Sequence, residues 1–340
     1  MHHGFACMFF LSSMEDNTPR TQMEKSASIL RRSIFTFLQN YHFFTLTPAL
    51  LAFPYSVSLL LSQIFVPSSS LLQSIHARLD DLFQASGFPY SSDFFTLLSL
   101  KLSQTICFSV FALPFTFSFF LVAKASVIEL CFRQGRTSKK PCLFSSVLSL
   151  YKPLLETQIC NFLLIISADA TALSVLFFGF NLINGLGLSS PGWLHLMSAF
   201  GAVFYSLILA NAFVISNIAL VSTGKDKSGG YLSILKACVV IKGRTSTALS
   251  LALPWNLALA GIEALFHYRV VRSYGSDDFG WFSMASEGIL IAYLYSMVLV
   301  LDTVVSCSFF DSCTRGGLMM EQESKYIYRA EIAEGIEDLP

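Results

Sequence analysis

The sequence predicts an all-α integral membrane protein with six transmembrane helices, and three observations carry that expectation. Apolar residues make up 54% of the 340 and charged residues only 13%, about half the charged share of an ordinary globular domain. Six long stretches carry almost no charge, and each is long enough, at about 1.5 Å per residue, to cross a hydrocarbon core of about 30 Å. The basic residues gather in alternate connections, as the positive-inside tendency requires. A soluble chain of this composition would expose large apolar patches. The composition therefore argues against a soluble enzyme, a nucleic-acid binder and a disulfide scaffold.

Taken in order, the expected spans are 43–66, 102–123, 159–183, 197–222, 246–268 and 285–310. The first, second and fourth are uncharged inside. The third holds Asp169, the fifth Glu263, and the sixth Glu287 and Asp302. A segment in lipid must satisfy its own backbone, and none of these shows strand alternation, so all six are read as helices. Residues 1–24 form an expected flexible leader. Its apolar run Phe5 to Leu11 is short and follows no basic residue, unlike a secretory signal; Met14 and Met23 are alternative starts. Residues 25–310 form the six-span membrane domain. Residues 311–340 form an acidic cytosolic tail with Glu321, Glu323, Glu331, Glu334, Glu337 and Asp338, a composition that favours a solvated end over a packed one. The alternative for that tail is a docking site for a basic cytosolic protein partner.

Eighteen of the 22 Lys and Arg residues fall on one side of this layout, and only Arg78, Lys101, Arg269 and Arg272 on the other. Both termini are therefore expected in the cytosol, with the protein in an endomembrane or the plasma membrane. Lys124 is counted with the cytosolic connection after the second span. None of the eight cysteines falls in a non-cytosolic loop, so no disulfide is expected there, and no Cys/His spacing suggests a metal.

Three cytosolic segments share a pattern. Ile29, Leu30, Ile34, Phe37 and Leu38 recur at helical spacing beside Arg31 and Arg32. Phe144, Val147, Leu148, Tyr151 and Leu155 do so beside Lys152. Tyr231, Ile234, Leu235, Cys238 and Ile241 do so beside Lys236 and Lys242. Each reads as a short interfacial amphipathic helix, with the five cations contacting anionic lipid headgroups. Packing on the bundle is the competing reading. Each segment precedes an odd-numbered span, so the chain parses as a possible threefold helix-hairpin repeat. Pro54 and Pro254 sit at matching places in two of the copies.

The segment Ser28 to Ser33 with Arg31 and Arg32, the paired prolines and the acidic end Glu337 to Pro340 resemble a group of plant six-span membrane proteins with no assigned activity. The layout is also similar to the membrane-embedded part of some bacterial glycerophosphodiester phosphodiesterases. The resemblance implies a six-helix membrane fold. It implies no catalytic residue, because that phosphodiesterase chemistry belongs to a separate soluble domain.

Asp169 is the sharpest single feature. It lies about 15 Å into its span, where an acid costs roughly 2.5–3.5 kcal/mol on insertion scales. Asn211 and Asn256 reach comparable depth and are its expected hydrogen-bond partners. The group reads either as a neutral structural bridge or as a proton or cation relay. Glu263, Glu287 and Asp302 read as interfacial anchors. Ala202, Ser206 and Ala210 form a small-residue stripe suited to close helix packing. No GxGxxG, GxxxxGK[ST], GxSxG or HExxH motif occurs, so no catalytic, cofactor-binding or metal residue is assigned. The expected function is non-enzymatic membrane organisation or trafficking, with the lipid bilayer as partner and no nucleic acid. The alternative is a small-solute or proton-coupled carrier using Asp169.

Overall fold

The computed structural model describes residues 19–85, 93–133, 143–185, 191–272 and 281–337. Every regular element among them is helical. In chain order they are α1 (Pro19–Gln39), α2 (Tyr41–Leu46), α3 (Pro48–Phe65), α4 (Ser70–Ala85), α5 (Asp93–Phe115), α6 (Leu121–Arg133), α7 (Leu143–Gly185), α8 (Pro191–Asp226), α9 (Tyr231–Ile241), α10 (Thr245–Phe266) and α11 (Trp281–Glu337). Six helices are long and apolar enough to cross a membrane: 41–65, 96–133, 146–182, 196–226, 245–271 and 282–315. The first combines α2 and α3, and the second joins α5 to α6. The third, fourth, fifth and sixth are built on α7, α8, α10 and α11.

Local chemistry explains the breaks. Asn40 ends α1, its side-chain amide donating to the Thr36 carbonyl at 3.2 Å, and Pro48 opens α3 where its missing N–H costs nothing. Pro114 lies two residues before a π turn at Thr116–Phe120 that separates α5 from α6. A proline removes one backbone bond and weakens the regular helix around it, and the wider turn follows directly. The hydroxyls of Thr116 and Ser118 donate back to the carbonyls of Ala112 and Pro114 at 3.0 and 2.7 Å. Pro54 and Pro254 lie inside α3 and α10 without ending either.

The packing has a cyclic order. The second, fourth and sixth spans touch pairwise through α6, α8 and α11. Each odd span lies against two of these: α3 against α6 and α11, α7 against α6 and α8, α10 against α8 and α11. The segments that precede the odd spans follow the same sequence. α1 lies on α10 and α11, and α9 lies on α7 and α8. The first turns of α7 lie on the second span, where Tyr151 donates its hydroxyl to the Phe117 carbonyl at 2.8 Å.

The core gathers at the end of the bundle that carries Arg133, Lys225, Arg244 and Arg315, here called the basic end. Leu121, Ile128, Leu154, Val221, Ile234 and Phe310 are among its buried members. At the opposite end α3, α10 and α11 stay together through Leu60, Phe266 and Tyr295. The third and fourth spans stand apart from them there. On α8, Phe200 and Val203 are 64% and 69% exposed. Ala202 and Ser206 of the small-residue stripe are exposed as well, so the close packing expected of that stripe is not made within the chain.

Several sequence expectations change. The second amphipathic segment is no separate helix: α7 runs unbroken from Leu143 through Pro153 to Gly185. The connection between the first two spans holds α4, which the sequence reading did not place; Ser69 caps it, accepting from the Leu72 N–H at 3.2 Å, and Leu72 packs beside Cys107. The acidic tail is helical as far as Glu337. Of the leader, residues 1–18 lie outside the described residues and 19–24 open α1. Lys124 lies in no connection: it is buried, 6% exposed, in α6.

Candidate functional site

Lys124 is buried among the three central spans. Its ammonium donates to Asn217 Oδ1 at 2.7 Å, and the other face of that amide, Nδ2, donates to Asp302 Oδ2 at 3.5 Å. The Lys124 ammonium also lies 4.7 Å from the centre of the Phe120 ring, a cation–π contact that helps replace lost hydration. The three residues come from α6, α8 and α11 respectively. A cation and an anion are thus joined through a neutral amide that satisfies both, so the group is charge-neutral as a whole. Beside it is a void of about 10 Å³ lined by Ala52, Ala123, Lys124, Leu299 and Thr303, room for about one water. Asp302 is therefore no interfacial anchor. It is the acidic arm of a buried polar node.

A second layer lies toward the basic end. The Lys225 ammonium sits over both the Phe132 and Phe310 rings, 5.5 and 5.2 Å from their centres. The two rings meet edge to face at 6.5 Å. Again α6, α8 and α11 supply one residue each. Around both layers, Gly224 lets α8 approach α6: a Cβ there would run into the Ile128 side chain.

Asp169 is half-buried on α7 and accepts a hydrogen bond from Tyr205 of α8 at 2.9 Å. Neither expected amide takes that place. Asn211 donates to the Leu207 carbonyl of its own helix at 2.9 Å, and Asn256 is exposed on α10. Across the antiparallel α7–α8 pair, Thr157 meets Thr223 at 2.8 Å and Asn161 meets the Ser216 carbonyl at 3.1 Å. That register sets Asp169 level with residues 208–211, so Asn211 has the expected depth but spends its amide on its own helix, while Tyr205 reaches Asp169 with a longer side chain. Further from the basic end the same pair encloses an apolar cleft of about 120 Å³ between Leu176, Gly179, Phe180, Met197, Gly201 and Phe204. Glu263 on α10 is likewise paired with a tyrosine, accepting from Tyr295 of α11 at 3.0 Å. Arg269 and Glu287 lie 4.0 Å apart.

The five expected lipid-facing cations, Arg31, Arg32, Lys152, Lys236 and Lys242, are all exposed. Two also have protein partners: Arg32 lies 3.6 Å from Asp311, which Arg315 also contacts at 2.9 Å, and Lys236 pairs with Asp226. No group of three or more His, Cys, Asp or Glu able to hold a metal occurs among the described residues. The node is hidden in the sequence, where hydropathy sets Lys124 outside the membrane and Asp302 at its edge. The available signal was spacing: Lys124, Asn217 and Asp302 each precede a member of the second layer by eight residues.

Neither the curated proteins nor the solved structures contain a match to this chain. A family model does match, over residues 14–314, a range that takes in all six apolar helices but for the last residue of the sixth and both layers at the bundle centre. The chain belongs to the family described as Domain of unknown function (DUF8558).

Proposed function

We propose that this is a multi-pass, non-catalytic membrane protein with both termini in the cytosol, which organises lipid at the cytosolic face of its membrane. One observation carries the reading. At the basic end, α1 and α9 each bury one face on the bundle and turn large apolar side chains outward beside cations. On α1, Ile34, Phe35 and Leu38 are exposed next to Arg31 and Arg32; on α9, Tyr231, Leu232, Leu235 and Val239 are exposed next to Lys236, with Lys242 just beyond. Water is a poor solvent for such faces, whereas the boundary between headgroups and acyl chains suits both halves. Each basic residue near an anionic surface contributes about 1 kcal/mol of attraction. This placement also fits the interfacial role expected for the segment around Lys152, although that segment continues into α7.

The test is lipid selectivity. In bilayers of mixed phosphatidylcholine and phosphatidylserine, the protein is expected to enrich spin-labelled phosphatidylserine in its first lipid shell. Charge reversal at Arg31, Lys152 and Lys242 is expected to abolish that preference while the helix content stays constant. Unchanged selectivity in the triple variant overturns the reading.

A second reading, a proton-coupled carrier, draws on the Asp169–Tyr205 pair between the third and fourth spans. It requires flux driven by a pH gradient in proteoliposomes and its loss in Asp169→Asn. The closed node at the bundle centre favours the first reading, for which Asp169→Asn is expected to leave lipid selectivity intact and no pH-driven flux is expected in either protein.

A further inference from the structure

The two central layers match in a way that the spans, taken singly, do not reveal. The deep layer is Lys124, Asn217 and Asp302; the outer layer is Phe132, Lys225 and Phe310. In each of α6, α8 and α11 the two members are eight residues apart, about 12 Å along a helix. Residues that meet at two levels, at the same spacing on three helices, hold equivalent positions on those helices. The packing order agrees. The three even spans meet pairwise, each odd span fills the groove between two of them, and each preceding segment lies on the hairpin before its own, with α1 closing the circle on α10 and α11.

We propose that the membrane domain is a ring of three equivalent helix hairpins, and that Lys124, Asn217 and Asp302 form a charge lock on its axis whose members are interchangeable among the three positions. The lock has a clear physical task. Lipid tails are as apolar as the helices, so the hydrophobic effect does not drive hairpins together within a bilayer; packing and polar bonds must do so. A cation, an amide and an anion, one from each hairpin, are all satisfied only when the three hairpins are assembled. The amide of Asn217 is the means by which the third–fourth hairpin joins, and that hairpin packs little against the others at the end away from the basic residues. The inference is independent of the lipid-organising function, since it concerns how the hairpins are held and not what they contact outside.

Interchangeability gives the test. Lys124→Asp alone sets two acids on the axis, and Asp302→Lys alone sets two cations there. Each is expected to lower the Tm of the detergent-solubilised full chain by roughly 10 °C or more, or to abolish its monodisperse elution. The Lys124→Asp/Asp302→Lys exchange restores one charge of each sign around Asn217 and is expected to recover most of that loss. If a single variant does not fold at all, recovery of a monodisperse, helical protein by the exchange is the same result in stronger form. An exchange no better than the worse single variant shows that the positions are not equivalent. Single variants as stable as the parent show that there is no lock. Either outcome overturns the proposal.

Discussion

Asp302→Leu is expected to destabilise the bundle by about 3–5 kcal/mol, the cost of leaving a buried cation without its counter-charge. The magnitude comes from what is left behind. Lys124 is 6% exposed and would keep Asn217 and the Phe120 ring as neighbours, but no counter-charge. Lys124→Met in place of the acid change is expected to leave the Asp302 carboxylate in the same position. The double variant Lys124→Met/Asp302→Leu removes both charges, with apolar side chains of similar reach in their place, and is expected to lie well above either single variant. Replacing a whole buried pair with well-packed apolar groups is often neutral, whereas halving it is not. Equilibrium unfolding in mixed micelles reads all three. Additive losses in the double variant would mean that the two residues do not interact through Asn217.

The second large effect is expected at the crossing of α6 and α8. Gly224 has no room for a side chain, because even a Cβ would overlap the Ile128 methyl and lie 3.3 Å from its Cβ. Ile128 is itself fully buried among Leu121, Val221 and Phe310 and has nowhere to move. Gly224→Leu must therefore part the two helices, which also pulls Asn217 from Lys124 and Lys225 from Phe132. Overpacking alone costs about 1–3 kcal/mol, and loss of the two layers adds to it. Gly192→Leu, at a position with open space around it, serves as the control and is expected to leave stability within about 0.5 kcal/mol of the parent. Parity between the two variants would refute the close approach of α6 and α8.

The six helices were legible because bilayer thickness imposes a length and a composition that few other environments impose. Their ends were less so. Hydropathy falls at Lys124 and sets the end of the second span one residue before it, whereas the helix continues to Arg133. The third span is expected to begin at 159, yet α7 starts at Leu143 and passes through Pro153. The helix is packed tightly on the following turn: the Thr157 hydroxyl donates to the Pro153 carbonyl at 2.9 Å, and the 226–230 turn crosses so closely that a Cβ on Gly229 would sit 2.7 Å from that same oxygen. A single chain's hydropathy carries depth but not direction around the helix. Depth alone makes Asn211 a partner for Asp169, but the Asn211 amide turns to its own helix and Tyr205 takes that place. The same blindness hid the node, since Lys124, Asn217 and Asp302 share an axis only once three helices are assembled.

All of this requires that the apolar helices cross the bilayer six times with the basic end in the cytosol. Single acceptor sites for lumenal glycosylation, placed one at a time in full-length protein made in microsomes, test it directly. Sites within 86–92, 186–190 and 273–280 are expected to be modified, and sites within 134–142, at Ser228 and at either terminus are expected to remain unmodified. Modification within 134–142, or at one terminus but not the other, would contradict the account.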